Sequence, residues 1–539
     1  MPRGCRFDAR MPRRLARWLP CALLPWSALL SAEAPAAAPL RFDVLVYLVE
    51  GNSVLSTPEI ERAVYPFLGP HRSVQEIEAA RAALEKAYQQ RGYLTVSVEL
   101  PEQQVENGEV RLQVVEGRVE KLRVTGARYH LPSTIREGLP SLAAGSVPQF
   151  GQVQQELADL GRQPDRRLTP LLRPGKAPGT LEVELQVEEQ LPLHGTLEAN
   201  SKQSPNTVAG RLEGGLRYDN LFQLGHTLGL NWIVAPGNPD HADILTLNYG
   251  LPFAGGDYAY AFITRSDSDV PTGVGGATVV KGTSLGARYR IDLPNRGGLF
   301  SHGFSFGVDH KDNQDDLTQA GLLVPRSLKY WSLAARYDQS RFDSGDGVTA
   351  NFDLNLTLGI RGLAERTVDC DGVPTDQFAC KRFNAQPNFM VWRAAAEQRR
   401  PLWSGWTLRL RGEAQWANGP LVSQEQYGSG GSSSVRGYQE YEQFGDQGGL
   451  LSLELGTPPF WQWSALKFSA LGFVERGQAW LIDALPGEDA SMALASYGLG
   501  LAAEGDGFSS RFEWGMPLFS TRHTRRNDGL FYLSARGEF

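Results

Sequence analysis

Long apolar runs are what this chain most lacks. No segment of its 539 residues approaches the roughly 18 consecutive apolar positions of a membrane helix. That excludes a helical membrane protein but not a barrel, whose lipid-facing residues alternate with polar ones. Sulfur is scarce, with four cysteines and five methionines. The eight histidines are scattered and form no metal-ligand or nucleophile–base constellation, so no metal, no cofactor and no catalytic residue is expected. A formal net charge of -7 gives no electrostatic case for nucleic acid. No P-loop is present, and acidic runs such as "HKDNQDD" (310–316) read as solvated loop.

Glycine and aromatics are plentiful instead: 59 glycines, and 10% Phe, Trp and Tyr, suit strands and tight turns. The first 38 residues read as an export signal. An arginine-rich start (Met11 is an alternative first residue) precedes the short apolar "CALLPWSALLSA" and cleavage sites after Ala34 or Ala38. Cys5 and Cys21 leave with it. Cys370 and Cys380 remain in "DCDGVPTDQFACKR", which in an oxidising compartment reads as a disulfide closing a surface loop. Zinc would require histidines that are not nearby.

Two small α/β units follow, in the order β-α-α-β-β. The first (39–117) has a strand at Phe42 to Val49, a helix start at Ser56 or Thr57, and an amphipathic helix with Val74, Ile77, Leu84 and Tyr88 on one stripe that Arg81 interrupts. The second (118–191) repeats the order with little shared sequence. Each leaves a sheet edge open for pairing. From 192 to 539 the period changes to two. Leu212, Leu216 and Tyr218, then Phe352, Leu354, Leu356 and Leu358, then Leu451, Leu453 and Leu455 alternate with Arg217, Arg336, Asn355, Arg409, Arg411 and Glu454. Charges on the inner face point to a closed barrel with a wet lumen, of roughly 14 to 18 strands. Tight turns such as "YDNLFQLG" and "LPNRGG" alternate with long polar connections near 266–282, 311–325, 361–387 and 419–449. The last strand places Phe531, Leu533 and the terminal Phe539 on one face, which resembles the signal by which outer-membrane barrels are recognised for assembly.

These features together resemble the TpsB family, the outer-membrane transporters of two-partner secretion, also called hemolysin activator and secretion proteins. The matching residues are Gly51–Asn52, Arg91–Tyr93, "VEGRV" at 115–119, "LRPGKAPGTLEVELQVEE" at 172–189 and "RLEGGLRYDNLFQLGHTL" at 211–228. The most specific is "VRGY", Val435, Arg436, Gly437 and Tyr438, within the glycine–serine stretch 428–449. It resembles the family's hallmark in the sixth external loop, here about 419–449, which folds back into the barrel. Its counterpart on the barrel wall is an FxDxG-like strand, whose place is taken here by Phe473, Glu475 and Gly477 in "GFVERG". Glu475 stands where the family usually places Asp.

The resemblance implies two periplasmic POTRA domains and a transmembrane barrel of 16 antiparallel strands. It implies export of an unfolded TpsA-like exoprotein, outer-membrane lipid around the barrel, and the barrel-assembly machinery as a partner in biogenesis. An arginine drawn into the lumen keeps its charge and needs a fixed acceptor, so Arg436 is expected to pair with Glu475. Many relatives carry a plug helix before the first POTRA strand, and the short distance from the cleavage site to Phe42 leads us to expect none here. The alternatives are a barrel-assembly insertase, usually built with a longer series of POTRA domains, and a passive pore, to which such domains would be superfluous.

Overall fold

The computed structural model describes residues 41–161, 165–268, 272–274, 277–279, 281–293, 300–319, 322–343 and 347–539. The leader, the "PNRGG" turn at 294–298 and part of the 266–282 connection lie outside the described residues.

In the first unit the long helix is Val74–Gln90. Its start is fixed by reciprocal bonds: Ser73 Oγ accepts from Glu76 N at 3.3 Å, and Ser73 N donates to Glu76 Oε2 at 2.8 Å. The stripe it buries is Ile77, Ala80, Leu84 and Tyr88, whereas Val74 is exposed. Arg81 reaches across to the Val98 carbonyl at 2.9 Å and pairs with Glu78 and Glu85, so the apparent break in the stripe is a bridge. The expected strand at Phe42 to Val49 is divided at Leu45 into Arg41–Val44 and Val46–Glu50. The second piece lies parallel to Glu109–Glu116, which pairs antiparallel with Val96–Glu99. The first piece pairs with Gly69–Ser73, a strand absent from the β-α-α-β-β reading. Its sequence, GPHRS, has no apolar alternation; it is held by the ladder and by Asp43, which accepts from His71 N at 2.8 Å. Gly51 and Asn52 have local reasons. Gly51 sits at φ 84°, and Asn52 bonds both backbone groups of Leu55 and accepts from the Tyr88 hydroxyl at 2.6 Å.

The second unit builds a sheet in the order Arg118–Thr125, Thr180–Glu189, Arg166–Pro174, with helices Pro132–Glu137 and Phe150–Leu160. Val119, Ile135, Leu139, Val183 and Leu185 form its core. The outer edge of Arg118–Thr125 is partly covered, since Val119 exchanges backbone bonds with Ser146 and Gly145. The outer edge of Arg166–Pro174 has no partner strand among the described residues.

A closed antiparallel barrel follows. Its sixteen spanning strands are β1 (Leu193–Asn200), β2 (Arg211–Leu221), β3 (His226–Val234), β4 (Asp243–Pro252), β5 (Tyr258–Ser266), β6 (Gly282–Asp292), β7 (Phe300–Gln319), β8 (Leu322–Asp343), β9 (Gly347–Gly359), β10 (Met390–Pro401), β11 (Thr407–Ala417), β12 (Gln447–Gly456), β13 (Leu466–Trp480), β14 (Ser491–Gly505), β15 (Phe508–Pro517) and β16 (Leu530–Glu538). A three-residue strand, Trp461–Trp463, folds back on the start of β13. The ring closes where Ser534–Glu538 pairs with Asn200–Thr196, and where Phe539 and Gly195 exchange backbone bonds at 3.0 Å.

Alternation assigns the two faces. Leu197, Leu453, Leu499, Leu501, Phe531 and Leu533 are exposed outward, as a lipid-facing wall requires. Phe539 is exposed on the same side. Ion pairs line the inner face, among them Arg409 with Glu397 and Arg288 with Asp309.

Two long connections differ from the sequence reading. "HKDNQDD" is strand: β7 and β8 pair without interruption from Phe300–Arg341 to Gln319–Leu322, because the backbone ladder stabilises strands well past the lipid-facing zone whatever the side chains. The connection at 360–389 is not slack. It carries the disulfide Cys370–Cys380 and packs Ala364, Phe378, Ala385 and Phe389 onto Leu328 and Tyr330 of β8. Arg382 ties it to the buried Asp446 at 2.8 Å.

The second α/β unit is joined to the barrel by the β2–β3 turn. Phe222 and Gln223 both sit at positive φ (60° and 62°), as a tight hairpin turn with right-handed strand twist requires. Gln223 then donates to the Tyr129 carbonyl at 2.9 Å and accepts from Leu131 N at 3.1 Å, and Asn220 also donates to Tyr129 O. Glu189 fixes the same segment from below. Burial would raise its carboxyl, but bonds from Tyr129 N and Arg128 N and the neighbouring His130 outweigh that and hold it below the usual range. His194, at the start of β1, sits 3.0 Å from Asp165 and 3.4 Å from Asp219. Arg217 already holds Asp219, and we read this group as part of the joint.

Candidate functional site: an arginine held inside the barrel

The connection 418–446 turns inward between β11 and β12, and its centre lies against the inner wall formed by β12 to β16. Arg436 is 4% exposed. Its backbone N donates to Glu475 Oε2 at 2.7 Å, and its Nε and Nη2 both reach Glu475 Oε1, at 3.0 and 2.6 Å. The third nitrogen, Nη1, bonds Glu454 at 2.9 Å and Glu513 at 2.7 Å. The guanidinium also lies over the Phe473 ring, 3.5 Å from its centroid. One cation therefore meets three carboxylates and an aromatic face.

The strand pattern explains the positions. Phe473, Glu475 and Gly477 are successive inward residues of β13, so their roles are spaced by the pleat. Phe473 stacks, Glu475 accepts, and Gly477 leaves room: a Cβ there would come within 2.8 Å of the Val435 side chain. Glu454 on β12 and Glu513 on β15 are inward by the same alternation. Between them β14 presents Ser496, Gly498 and Gly500, and a Cβ at Gly498 would collide with the Phe473 ring and one at Gly500 would crowd Glu513. Gly437, at φ 98°, rests on Gly515, where a Cβ would fall 2.5 Å from Gly437 N.

The neighbours of Arg436 complete the attachment. Gly437 N donates to the Tyr532 hydroxyl at 2.7 Å, and that hydroxyl donates to the Tyr438 carbonyl at 2.6 Å. The Tyr438 hydroxyl donates to Ala495 O at 3.0 Å and accepts from Phe519 N at 3.1 Å. Val435 and Tyr438 pack with Leu450 and Leu494, all fully or almost fully buried. Glu440 bonds the backbone N and hydroxyl of Ser432 across the bend, and Glu442 accepts from Gln439 N and Thr524. The glycines and serines make the turns; polar bonds stop them.

Arg436, Glu475, Phe473 and Gly477 from the sequence reading meet at this site. Alternation marks Glu454 as lumen-facing only, and no motif points to Glu513, Tyr532 or Gly515. Glu513 had a visible signal, lying between outward Phe512 and Trp514. Cys370 and Cys380 lie in the 360–389 connection, and Phe531, Leu533 and Phe539 on the lipid side, apart from the Arg436 site. A cavity of ≈ 160 Å³ beside Arg436 is lined by Glu454, Glu475, Glu513, Arg409 and Arg511, and the wider lumen holds a further space of ≈ 1100 Å³.

Comparison with known proteins agrees with this architecture. Residues 42–117 match the model of the POTRA domain, ShlB-type, and residues 179–503 match that of the haemolysin secretion/activation protein ShlB/FhaC/HecB. The outer membrane transporter CdiB of Escherichia coli O6:K15:H31 is 26% identical over 491 residues, covering 88% of this chain and 79% of its own. The heme/hemopexin transporter protein HuxB of Haemophilus influenzae is 22% identical over 414 residues, covering 76% of this chain and 70% of its own. Among solved structures, CdiB from Escherichia coli superposes with a TM-score of 0.63 at 22% identity, covering 95% of this chain and 93% of that one. BamA from Haemophilus ducreyi lacking POTRA domains 1-3 shares the fold at 0.56 and 15% identity, covering 93% of this chain and all of that one. With its family model spanning more than half of the sequence, an N-terminal POTRA domain and a sixteen-stranded barrel, this chain belongs to the ShlB/FhaC/HecB haemolysin secretion/activation family of outer-membrane transporters, its POTRA domain lying in the periplasm.

Proposed function

We propose that this protein exports one secreted TpsA-like exoprotein through its barrel, with the 418–446 connection acting as a latch that is released during transport. The observation that carries the reading is the way the lumen is occupied. The tip of the loop, 430–440, is fastened by the Arg436 guanidinium and hydrogen bonds, with Val435 and Tyr438 in a four-residue apolar cluster. The base of the loop is packed separately, through Leu421, Val422 and Glu425 around Tyr330. The attachment of the tip can be exchanged for other polar contacts, whereas a packed apolar plug would have to be exposed to water.

The second α/β unit, 118–191, serves as a second POTRA domain. Its free edge at Arg166–Pro174 offers a row of backbone groups to an extended segment of the exoprotein, an interaction that tolerates varied sequence. The segment then enters a polar lumen and folds outside, which supplies direction without a nucleotide. Phe531, Leu533 and Phe539 present the final strand to the assembly machinery during biogenesis. Disruption of this gene should abolish secretion of the exoprotein encoded beside it while leaving other outer-membrane proteins at normal levels. Unchanged secretion would sink the proposal, and general loss of barrels would favour an insertase. Deleting 42–189 separates a pore from a transporter: conductance should persist while export is lost.

A further inference from the structure

Arg436 faces more negative charge than it can match, and the wall carries a second cation whose one ion-pair neighbour among the described residues belongs to the same cluster. Glu454, Glu475 and Glu513 converge on one guanidinium. If the loop left the wall, three buried lumen carboxylates would lose their counter-charge, a costly state. Two arginines stand just outside bonding distance. Arg409 Nη1 is 4.0 Å from Glu454, but its Nε and Nη2 are committed to Glu397 at 2.8 Å each. Arg511 Nη1 is 3.9 Å from Glu513 Oε1, the same oxygen that Arg436 uses, and Glu513 is its one ion-pair neighbour among the described residues. Arg511 and Glu513 are two apart on β15 and share its inward face. The ≈ 160 Å³ cavity lined by both gives the side chain space to move.

We propose that Arg511 is a relay cation: as Arg436 withdraws, the Arg511 guanidinium closes onto Glu513 and takes its place. The inference rests on the reading of this loop as a releasable latch and adds the residue that sets how easily it releases. The sign follows from both states. With the latch closed, Arg511 repels Arg436 and competes for the shared oxygen; with the latch open, it compensates Glu513. Removing its charge therefore favours the closed state twice over, whereas removal of an ordinary supporting neighbour would loosen the loop.

Hydrogen exchange of the 430–440 amides in the full-length protein, folded in lipid, tests this. Arg511→Gln is expected to slow their exchange about tenfold, and Arg511→Lys to keep it near the wild-type rate. Arg436→Ala, as the control for release, should accelerate it. Unchanged or faster exchange in Arg511→Gln, with the barrel intact by heat-modifiable migration, overturns the relay and leaves the latch standing. Unchanged exchange in Arg436→Ala overturns the latch itself, and the relay with it.

Discussion

Arg436 stabilises the loop only as long as its partners stay, and the reverse holds more strongly. Removing the cation leaves three buried carboxylates without their counter-charge, so Arg436→Ala is expected to cost about 3–5 kcal/mol of barrel stability, read as a lower heat-modification temperature. Arg436→Lys keeps the charge but cannot reach Glu475 with two nitrogens while a third serves Glu454 and Glu513, so it should rescue only part of that loss. A simple swap, Arg436→Glu with Glu475→Arg, should recover little, because the new carboxylate would face Glu454 and Glu513. The pair is better measured by a double-mutant cycle of Arg436→Ala and Glu475→Gln, with a coupling energy of about 0.5–3 kcal/mol. In the periplasmic unit, the Ser73 N–H and then the Arg72 guanidinium lower the Glu76 carboxyl from its ordinary 4.5 to about 2. A depressed carboxylate contributes stability that is full above about pH 4.5 and is lost as the pH falls towards 2. Glu76→Gln should flatten that acid limb, seen as protection of the 74–90 amides that no longer depends on pH across this window.

Elements divide into those that pattern reveals and those that only tertiary contact creates. Period-two alternation was enough to read the barrel and both its faces, because every spanning strand separates lipid from lumen. The long periplasmic helix was equally legible from its spacing, although its buried stripe runs through Ala80 and not Val74. Gly69–Ser73 was not legible, since a polar strand carries no alternation and exists through its partner. Nor was the length of β7 and β8, where the ladder continues through charged residues. Arg436 with Phe473, Glu475 and Gly477 could be read as motifs, but Glu513 could not be assigned to them without knowing that β15 stands two strands beyond β13. The same geometry makes the motif glycines testable. Gly477→Val would overlap Val435, and Gly515→Ala would overlap the backbone of Gly437. Each should displace the loop and raise pore conductance while the barrel still folds. The Cys370–Cys380 link belongs to the 360–389 connection, so replacing both by Ser should loosen exchange there, by about 2–3 kcal/mol at most, and leave 430–440 unchanged.

At the scale of the whole molecule, an outer-membrane barrel with a polar lumen is joined through Gln223 and Asn220 to a sheet with a free edge. The loop inside it is held at its tip by the ion pairs of Arg436 together with the small apolar cluster of Val435, Tyr438, Leu450 and Leu494. The proposed capture, passage and closure thus fall to different parts of one chain. A Cβ at Gly477 would lie 2.8 Å from the Val435 side chain, so cysteines at these two positions can lock the loop to β13. The decisive measurement is secretion of the partner exoprotein by the Val435→Cys/Gly477→Cys variant under oxidising conditions and after reduction, beside wild-type protein given the same reductant. The latch account predicts secretion blocked when oxidised and restored on reduction. Undiminished secretion with the loop quantitatively locked would contradict it.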